Sequence, residues 1–170
     1  MNAVLVSVLS DYLSTEPTLI TEPMPASMQQ GVVLVYGTLR TGQPNARLLA
    51  GKGRVLGTTR VRGVRMYSNG GFPYAVRTDN PRHSIVCEVV QVWDEKWRET
   101  VRSLDLLEGF WGHGVADNHY ERVATGWSLP DDPRYTRESW GWLYIASEET
   151  EREIAARRLP VVPQGDWLLR

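Results

Sequence analysis

The alternation of apolar and polar residues predicts a chain built mostly of β-strands. The segment SIVCEVVQVW at 84–93 is apolar on both of its alternating faces, which is typical of a strand buried on both sides. We therefore expect a curled sheet with this segment as a central strand. Strand-like segments rich in β-branched and aromatic residues lie at 32–36, 54–59, 61–67, 73–77, 84–93, 119–127 and 139–146.

Helical periodicity is less frequent. It predicts a short helix near 44–50 and longer helices over about 95–107 and 148–158. Ser147 is a suitable N-cap for the last of these helices. Together with the strands, this pattern predicts the α+β class with a β-rich core.

The helix over 95–107 has distinct start and stop signals. Asp94 is the expected N-cap and Gly109 the expected C-terminal stop. The predicted buried stripe consists of Trp97, Val101, Leu104 and Leu107.

Glu108 occupies the last position of that helix, immediately before Gly109. The helix dipole is negative there, so a carboxylate is disfavoured by up to about 2 kcal/mol. Such a residue is either a solvated helix-end acid or a group with a raised pKa, as a general acid or base requires.

The first 30 residues differ in pattern from the rest. Apolar positions over 3–13 repeat at helical spacing, and residues 14–31 are polar and rich in proline. We predict an amphipathic helix and a linker over 1–30, followed by one domain over 31–170. The helix is a candidate surface for homo-oligomer formation.

Composition excludes several classes of function. The 170 residues are 42% hydrophobic and 23% charged, with a net charge of −1, so we expect a globular chain that binds neither nucleic acid nor membrane. A single cysteine, Cys87, suits a reducing compartment. Because no basic leader precedes the first apolar stretch, we expect a cytoplasmic protein.

The stretch VLVYGTLR at 33–40 raises a chemical question. An apolar strand ends in Tyr36, Gly37 and Thr38, and a glycine at such a turn either relieves backbone strain or presents N–H groups to an anion. The stretch alone leaves both interpretations open.

Other polar residues carry weaker signals. Glu88 lies in the most apolar strand and is a rival acid, or a structural residue paired with an arginine. Asp105 precedes Glu108 by three positions and either orients it or is solvated, and we favour solvation. Cys87 is expected to be a small buried hydrophobic residue. The three histidines, His83, His113 and His119, show no metal-ligand spacing.

Four short motifs resemble the gamma-glutamylcyclotransferase-like family, which includes gamma-glutamylamine cyclotransferases and the cyclotransferase of butirosin biosynthesis. VYGTLR at 35–40 resembles the family's substrate loop, and LDLLEG at 104–109 resembles its catalytic-glutamate segment. YER at 120–122 is similar to the strand that follows, and GDW at 165–167 to the C-terminal signature. The order of the four motifs is that of the family.

The resemblance implies a small mixed β-barrel of about six to seven strands flanked by helices. It also implies an amide-cleaving enzyme, of the lyase or acyltransferase class, that releases 5-oxoproline from a gamma-glutamyl amide without metal or cofactor. Glu108 is then the catalytic residue, taking a proton from the α-ammonium and returning one to the leaving amine. The substrate-binding candidates are Tyr36, Gly37, Thr38, Leu39, Arg40, Phe72, Tyr74 and Tyr120.

Two alternatives remain at this stage. One is a non-catalytic module that binds a small amino-acid-like or other anionic ligand in the same pocket. The other is a structural protein that assembles through its N-terminal helix. The segment FWGHGVADNH at 110–119 is longer than the family's usual connection, so the identity of the leaving amine stays open.

Overall fold

The computed structural model describes residues 31–135 and 139–170. The predicted helix and linker over 1–30 lie outside the described residues. The seven strands are β1 Val32–Val35, β2 Gly53–Arg62, β3 Val64–Ser68, β4 Pro73–Arg77, β5 Ser84–Val92, β6 Tyr120–Trp127 and β7 Ser139–Ala146. The two α-helices are α1 Asp94–Glu108 and α2 Glu148–Arg157. The α+β class predicted from the sequence is confirmed.

Five strands form one sheet in the order β2-β5-β1-β7-β6, and β3 pairs with β4 in a second sheet. Within the larger sheet β1 is parallel to β7, and the other neighbours are antiparallel. The predicted interior position of β5 is confirmed, because it lies between β2 and β1 and has buried residues on both faces. Ile85 and Cys87 face one core, and Val90 and Val92 face the other.

The predicted closed barrel is not formed by hydrogen-bonded strands within residues 31–135 and 139–170, since the sheet ends at β2 and β6. The sheet is curled, however. The Thr59 hydroxyl on β2 donates a hydrogen bond of 2.8 Å to the carbonyl of Ser128, the residue that follows β6. Side-chain contact thus joins the two edges where the ladder stops.

Helix α1 ends as predicted and begins differently. Gly109 adopts a left-handed conformation with φ of 62° and donates its N–H to the Asp105 carbonyl, so Glu108 is the last helical residue. The predicted N-cap is wrong by one residue, because Asp94 is already helical and Trp93 takes the cap position without a side-chain bond. Leu107, predicted to be buried, is 42% exposed.

The remaining helical segments also differ in detail. Ser147 caps α2 as predicted, accepting a hydrogen bond from the Thr150 amide. The predicted helix near 44–50 is only a 3₁₀ turn over Ala46–Leu48, since a segment this short between turns cannot complete several α-helical bonds. No helix within the described residues is long and apolar enough to span a membrane.

Candidate active site

A cavity of about 220 Å³ opens where β1 ends. Its walls come from β1 and the turn that follows, the start of β4, the end of α1, the start of β6, and β7. The lining residues are Leu34, Val35, Tyr36, Thr38, Leu39, Asn45, Phe72, Pro73, Leu107, Glu108, His119, Tyr120 and Tyr144. This volume is below the roughly 300–1,000 Å³ of drug-sized pockets and suits a small ligand.

Glu108 contributes the one carboxylate among the lining residues. Burial disfavours its charged form and raises the pKa from the ordinary 4.5 to about 8. The same carboxylate raises the pKa of Tyr36 and of Tyr120 through its charge, although burial is the larger cause for both phenols. In the empty cavity at neutral pH, Glu108 is therefore mostly protonated.

The turn after β1 contributes Thr38 and Leu39 to the cavity lining and contains several backbone N–H groups. Leu39 and Arg40 use their amides within the 3₁₀ turn, donating to the carbonyls of Tyr36 and Gly37. No hydrogen bond within the described residues uses the amides of Gly37 and Thr38. Thr38 is a lining residue, and its N–H group and that of the preceding Gly37 are candidate donors to a ligand anion.

Gly37 is required at this turn for two reasons. Its φ is 63°, in the left-handed region that favours glycine, and a Cβ there would overlap the Pro73 ring. The side-chain-free backbone lets the turn and the start of β4 approach each other, which closes the cavity on one side.

Thr38 and Asn45 supply the neutral polar groups of the cavity. The Asn45 amide donates to the Thr38 hydroxyl oxygen at 3.0 Å. Because that oxygen accepts, the Thr38 hydroxyl hydrogen is available to donate to a ligand, and the side-chain oxygen Oδ1 of Asn45 is available to accept.

Three tyrosines form the cavity's aromatic wall, and each hydroxyl hydrogen has a protein acceptor. Tyr36 donates to the Tyr144 carbonyl at 2.8 Å, Tyr120 to the Pro73 carbonyl at 3.2 Å and Tyr144 to Asp105 at 2.6 Å. These bonds hold the aromatic wall in place while leaving proton transfer to other groups.

The predicted site residues separate into two groups. Six line the cavity together: Tyr36, Thr38, Leu39, Phe72, Glu108 and Tyr120. Gly37 contributes through the backbone of the turn. Tyr74 lies behind the lining, stacked on Tyr120 at 5.9 Å between ring centroids.

Arg40 is not among the lining residues. Its buried guanidinium forms an ion pair with Asp166 at 2.6 Å and lies 3.6 Å from Glu88. Glu88 also accepts hydrogen bonds of 2.9 Å from the amide and hydroxyl of Thr41. Both residues thus support the base of the turn, and the structural interpretation of Glu88 applies.

The expectation that Asp105 is solvated is wrong. Its partly buried carboxylate accepts hydrogen bonds from Arg122 at 2.9 and 3.0 Å and from Tyr144. Burial raises the pKa of Asp105, and these partners oppose the shift. The Arg122 guanidinium also lies 5.1 Å from the ring centroids of both Phe110 and Trp142. This cluster fixes the end of α1 against the sheet.

His119 is a cavity residue that sequence reasoning missed. It lies directly before Tyr120, and its amide donates to the Gly109 carbonyl at 3.0 Å. The spacing of the histidines gives no sign of a metal site, and the signal in the sequence for His119 is its position next to the YER motif. Neighbouring residues within a strand point to opposite faces of the sheet. His119 and Tyr120 can both line the cavity because β6 begins at Tyr120 and His119 lies before it.

The described residues hold no group of three or more His, Cys, Asp or Glu side chains arranged to bind a metal ion. Cys87 is buried in β5, and burial raises the pKa of its thiol. A neutral buried thiol of this kind is a packing residue.

Comparisons with known proteins agree with this geometry. The family model described as "Gamma-glutamyl cyclotransferase, AIG2-like" matches residues 33–169. The comparison with curated protein sequences finds no match.

Several solved structures share the fold. An uncharacterized protein from Pyrococcus horikoshii has a TM-score of 0.55 at 21% identity, covering 81% of this chain and 90% of that one. An AIG2-like protein from Mus musculus has a TM-score of 0.54 at 19% identity, covering 79% and 86% respectively. YkqA from Bacillus subtilis has a TM-score of 0.56 at 18% identity, covering 82% of this chain but 40% of its own.

Proposed function

The chain belongs to the gamma-glutamyl cyclotransferase, AIG2-like family, and on this premise we propose that it releases 5-oxoproline from a gamma-glutamyl amide. Glu108 is the general acid–base group of the reaction. The observation that carries this proposal is one cavity whose lining combines the desolvated Glu108 carboxyl group with Thr38 and Leu39 of the turn after β1.

A gamma-glutamyl amide offers groups that match this cavity. Its α-carboxylate suits the Gly37 and Thr38 amides and the Thr38 hydroxyl, as anions suit convergent N–H donors. Its α-ammonium suits the side-chain oxygen of Asn45 and the carbonyl oxygen of the Glu108 carboxyl group. Holding both ends folds the chain so that the amine lies next to its own side-chain amide.

In the reaction the α-amine nitrogen attacks the side-chain carbonyl carbon, closing a five-membered ring, and the bond to the leaving nitrogen breaks. The ring nitrogen keeps one of the three ammonium hydrogens, and two are transferred to the leaving nitrogen, which departs as an ammonium ion. A carboxyl group with a pKa near 8 can both donate and accept at neutral pH, which is what these transfers need.

The test is 5-oxoproline release from a panel of gamma-glutamyl amides of alkyl amines, anilines and amino acids, followed by mass spectrometry. We expect Glu108→Gln to lower kcat by about 10²-fold or more for alkyl amides, within the range of general acid–base catalysis. Asp117→Asn removes an exposed carboxylate from the 110–119 connection and is the matched control, with wild-type turnover expected.

Full turnover by Glu108→Gln on alkyl amides would remove Glu108 from the chemistry. A folded wild-type protein that binds panel members without releasing 5-oxoproline would instead be the non-catalytic binding module.

A further inference from the structure

The cavity contains a second group able to move a proton, the imidazole of His119. The ring lines the cavity, and it makes edge-to-face contacts with Tyr74 at 5.7 Å and Tyr120 at 5.0 Å between centroids. The mechanism outlined above does not use this residue.

The hydrogen bonds around Thr150 assign the tautomer of His119. The Thr150 hydroxyl donates to the His119 carbonyl at 2.8 Å, and a carbonyl oxygen can only accept. Its one hydrogen is thus committed, so in the 3.2 Å contact between Thr150 Oγ1 and His119 Nδ1 the ring nitrogen is the donor. A neutral ring with hydrogen on Nδ1 has an open lone pair on Nε2.

Thr150, whose hydroxyl fixes this tautomer, is itself held by hydrogen bonds to Ser147. Thr150 Oγ1 also accepts from the Ser147 hydroxyl at 3.2 Å, and the Ser147 oxygen accepts from the Thr150 amide. These residues form the start of α2, so the helix cap orients the ring. No group within the described residues hydrogen-bonds His119 Nε2.

The main chain places His119 beside Glu108. Gly109, the residue after Glu108, has a backbone so close to His119 that an added Cβ would lie 3.1 Å from the His119 Cβ. The His119 amide bonds the Gly109 carbonyl at 3.0 Å. The two titratable side chains therefore enter one cavity from adjoining backbone segments.

We propose that His119 is a second catalytic residue, whose Nε2 accepts the first proton of the substrate's α-ammonium while the Glu108 carboxyl donates to the leaving nitrogen. This inference rests on the proposed cyclotransferase function. The protonation state of Glu108 in the empty cavity agrees with it, because a mostly protonated carboxyl is ready to donate but needs another group to accept.

The proton balance closes over one turnover. After His119 accepts a proton, the free amine attacks the carbonyl carbon, and Glu108 protonates the leaving nitrogen as its bond to that carbon breaks. The Glu108 carboxylate then takes the surplus proton from the ring nitrogen. His119 gives its proton to the departing amine, which leaves as an ammonium ion, and both residues return to their starting states.

The experiment compares two substrates that differ in the leaving group, gamma-glutamyl-para-nitroanilide and gamma-glutamyl-n-butylamide. The nitroaniline departs without protonation assistance, whereas the alkyl amine needs a proton. We expect His119→Gln to lower kcat by about 10²-fold for both substrates, because both need the amine deprotonated. We expect Glu108→Gln to lower kcat by that factor for the butylamide and by less than about tenfold for the nitroanilide.

His113→Gln is the matched control, since His113 is an exposed histidine in the 110–119 connection and is not among the cavity-lining residues. It should retain wild-type kcat on both substrates. His119→Gln with kcat within twofold of wild type would overturn the inference. Equal loss on both substrates in Glu108→Gln would also overturn it, placing both transfers on one carboxylate.

Thr150→Val provides a second variant in which His119 itself is intact. Removing the acceptor of Nδ1 frees the other tautomer, so we expect kcat to fall several-fold on both substrates with KM unchanged, in a protein that remains folded at the assay temperature but unfolds at a lower temperature than wild type, because the buried hydroxyl also bonds Ser147 and the His119 carbonyl. An unchanged kcat would contradict the tautomer assignment. If the wild type releases no 5-oxoproline from any amide, the proposed function fails instead.

Discussion

At the scale of single residues, the chemistry of Glu108 follows partly from its place at a helix end, whereas that of His119 follows from contacts with a distant segment. The end of α1 identifies Glu108 as an acid in an unfavourable field, and the motif LDLLEG marks it further. Its pKa near 8 comes from burial in a cavity that Tyr36 and Tyr120 also line, residues 72 positions before and 12 positions after it. His119 has no such local signal, because its role depends on Thr150, 31 residues along the chain.

The raised pKa of Glu108 predicts a pH-dependent cost in stability. Between pH 4.5 and about 8 the folded chain holds a proton that the unfolded chain has released. The free energy of unfolding therefore falls as pH rises through this window. Glu108→Gln stays neutral at every pH, so it should be more stable than wild type at pH 8 and equal to it near pH 4.5.

The two pKa values set an upper limit of about 5 kcal/mol on this difference. Because part of the Glu108 residue is exposed to solvent, we expect about 1–3 kcal/mol at pH 8 from denaturant unfolding. Asp117→Asn, which changes an exposed acid, should show no such pH-dependent gain. A Glu108→Gln protein no more stable than wild type at pH 8 would mean that the carboxylate is hydrated in the folded state.

At the scale of elements, the strands and helices follow closely from the sequence, whereas the contacts that join them do not. Patterning located all seven strands and both helices, because periodicity is a local property. The prediction that Asp105 is solvated was wrong because its partners Arg122 and Tyr144 are 17 and 39 residues away, on β6 and β7. The predicted contact of Arg40 with the substrate is not found for the same reason, because its ion-pair partner Asp166 lies 126 residues further along the chain.

The bonds of Asp105 to Arg122 and Tyr144 predict that Asp105 positions the end of α1, and with it Glu108. Asp105→Asn removes the charge paired with Arg122 and weakens the bond from Tyr144. We expect a loss of about 1–3 kcal/mol in the free energy of unfolding. We also expect kcat to fall about tenfold with little change in KM, because the helix end that carries Glu108 loses its anchor to the sheet.

Asp94→Asn changes an acid at the other end of the same helix and should leave kcat unchanged. Thermal unfolding and steady-state kinetics on a gamma-glutamyl alkyl amide measure both effects. Wild-type stability together with wild-type kcat in Asp105→Asn would show that the cluster does not position the helix end.

At the scale of the whole molecule, the motif GDW holds the C-terminal segment against the sheet and lies outside the cavity lining. Gly165, with φ of 64°, passes so close to β5 that a Cβ would overlap the Ser84 carbonyl. Asp166 pairs with Arg40 and accepts from the Leu168 amide, and Trp167 is fully buried. The sequence identified this motif by resemblance, and its physical role became evident only when distant segments were brought together.

The Arg40–Asp166 pair links the turn of the cavity to the C-terminal segment, and its removal tests that link. Asp166→Asn leaves the Arg40 guanidinium, whose side chain is 6% exposed, without its nearest counter-charge. Breaking a buried pair on one side costs about 3–5 kcal/mol. We expect about 2–4 kcal/mol here, because the Asp166 side chain is 20% exposed and Glu88 remains 3.6 Å from Arg40.

Arg40→Met with Asp166→Asn removes both members of the pair, and we expect the double variant to lose less stability than the sum of the two single variants, because each single change leaves a buried charge without its nearest partner. The exposed pair of Glu149 with Arg152, at 66% and 73% exposure, is the control. Glu149→Gln should change the free energy of unfolding by less than about 1 kcal/mol. Chemical denaturation of the wild type, Arg40→Met, Asp166→Asn, the double variant and Glu149→Gln measures these differences, and additive losses in the double variant would mean that the two charges do not interact.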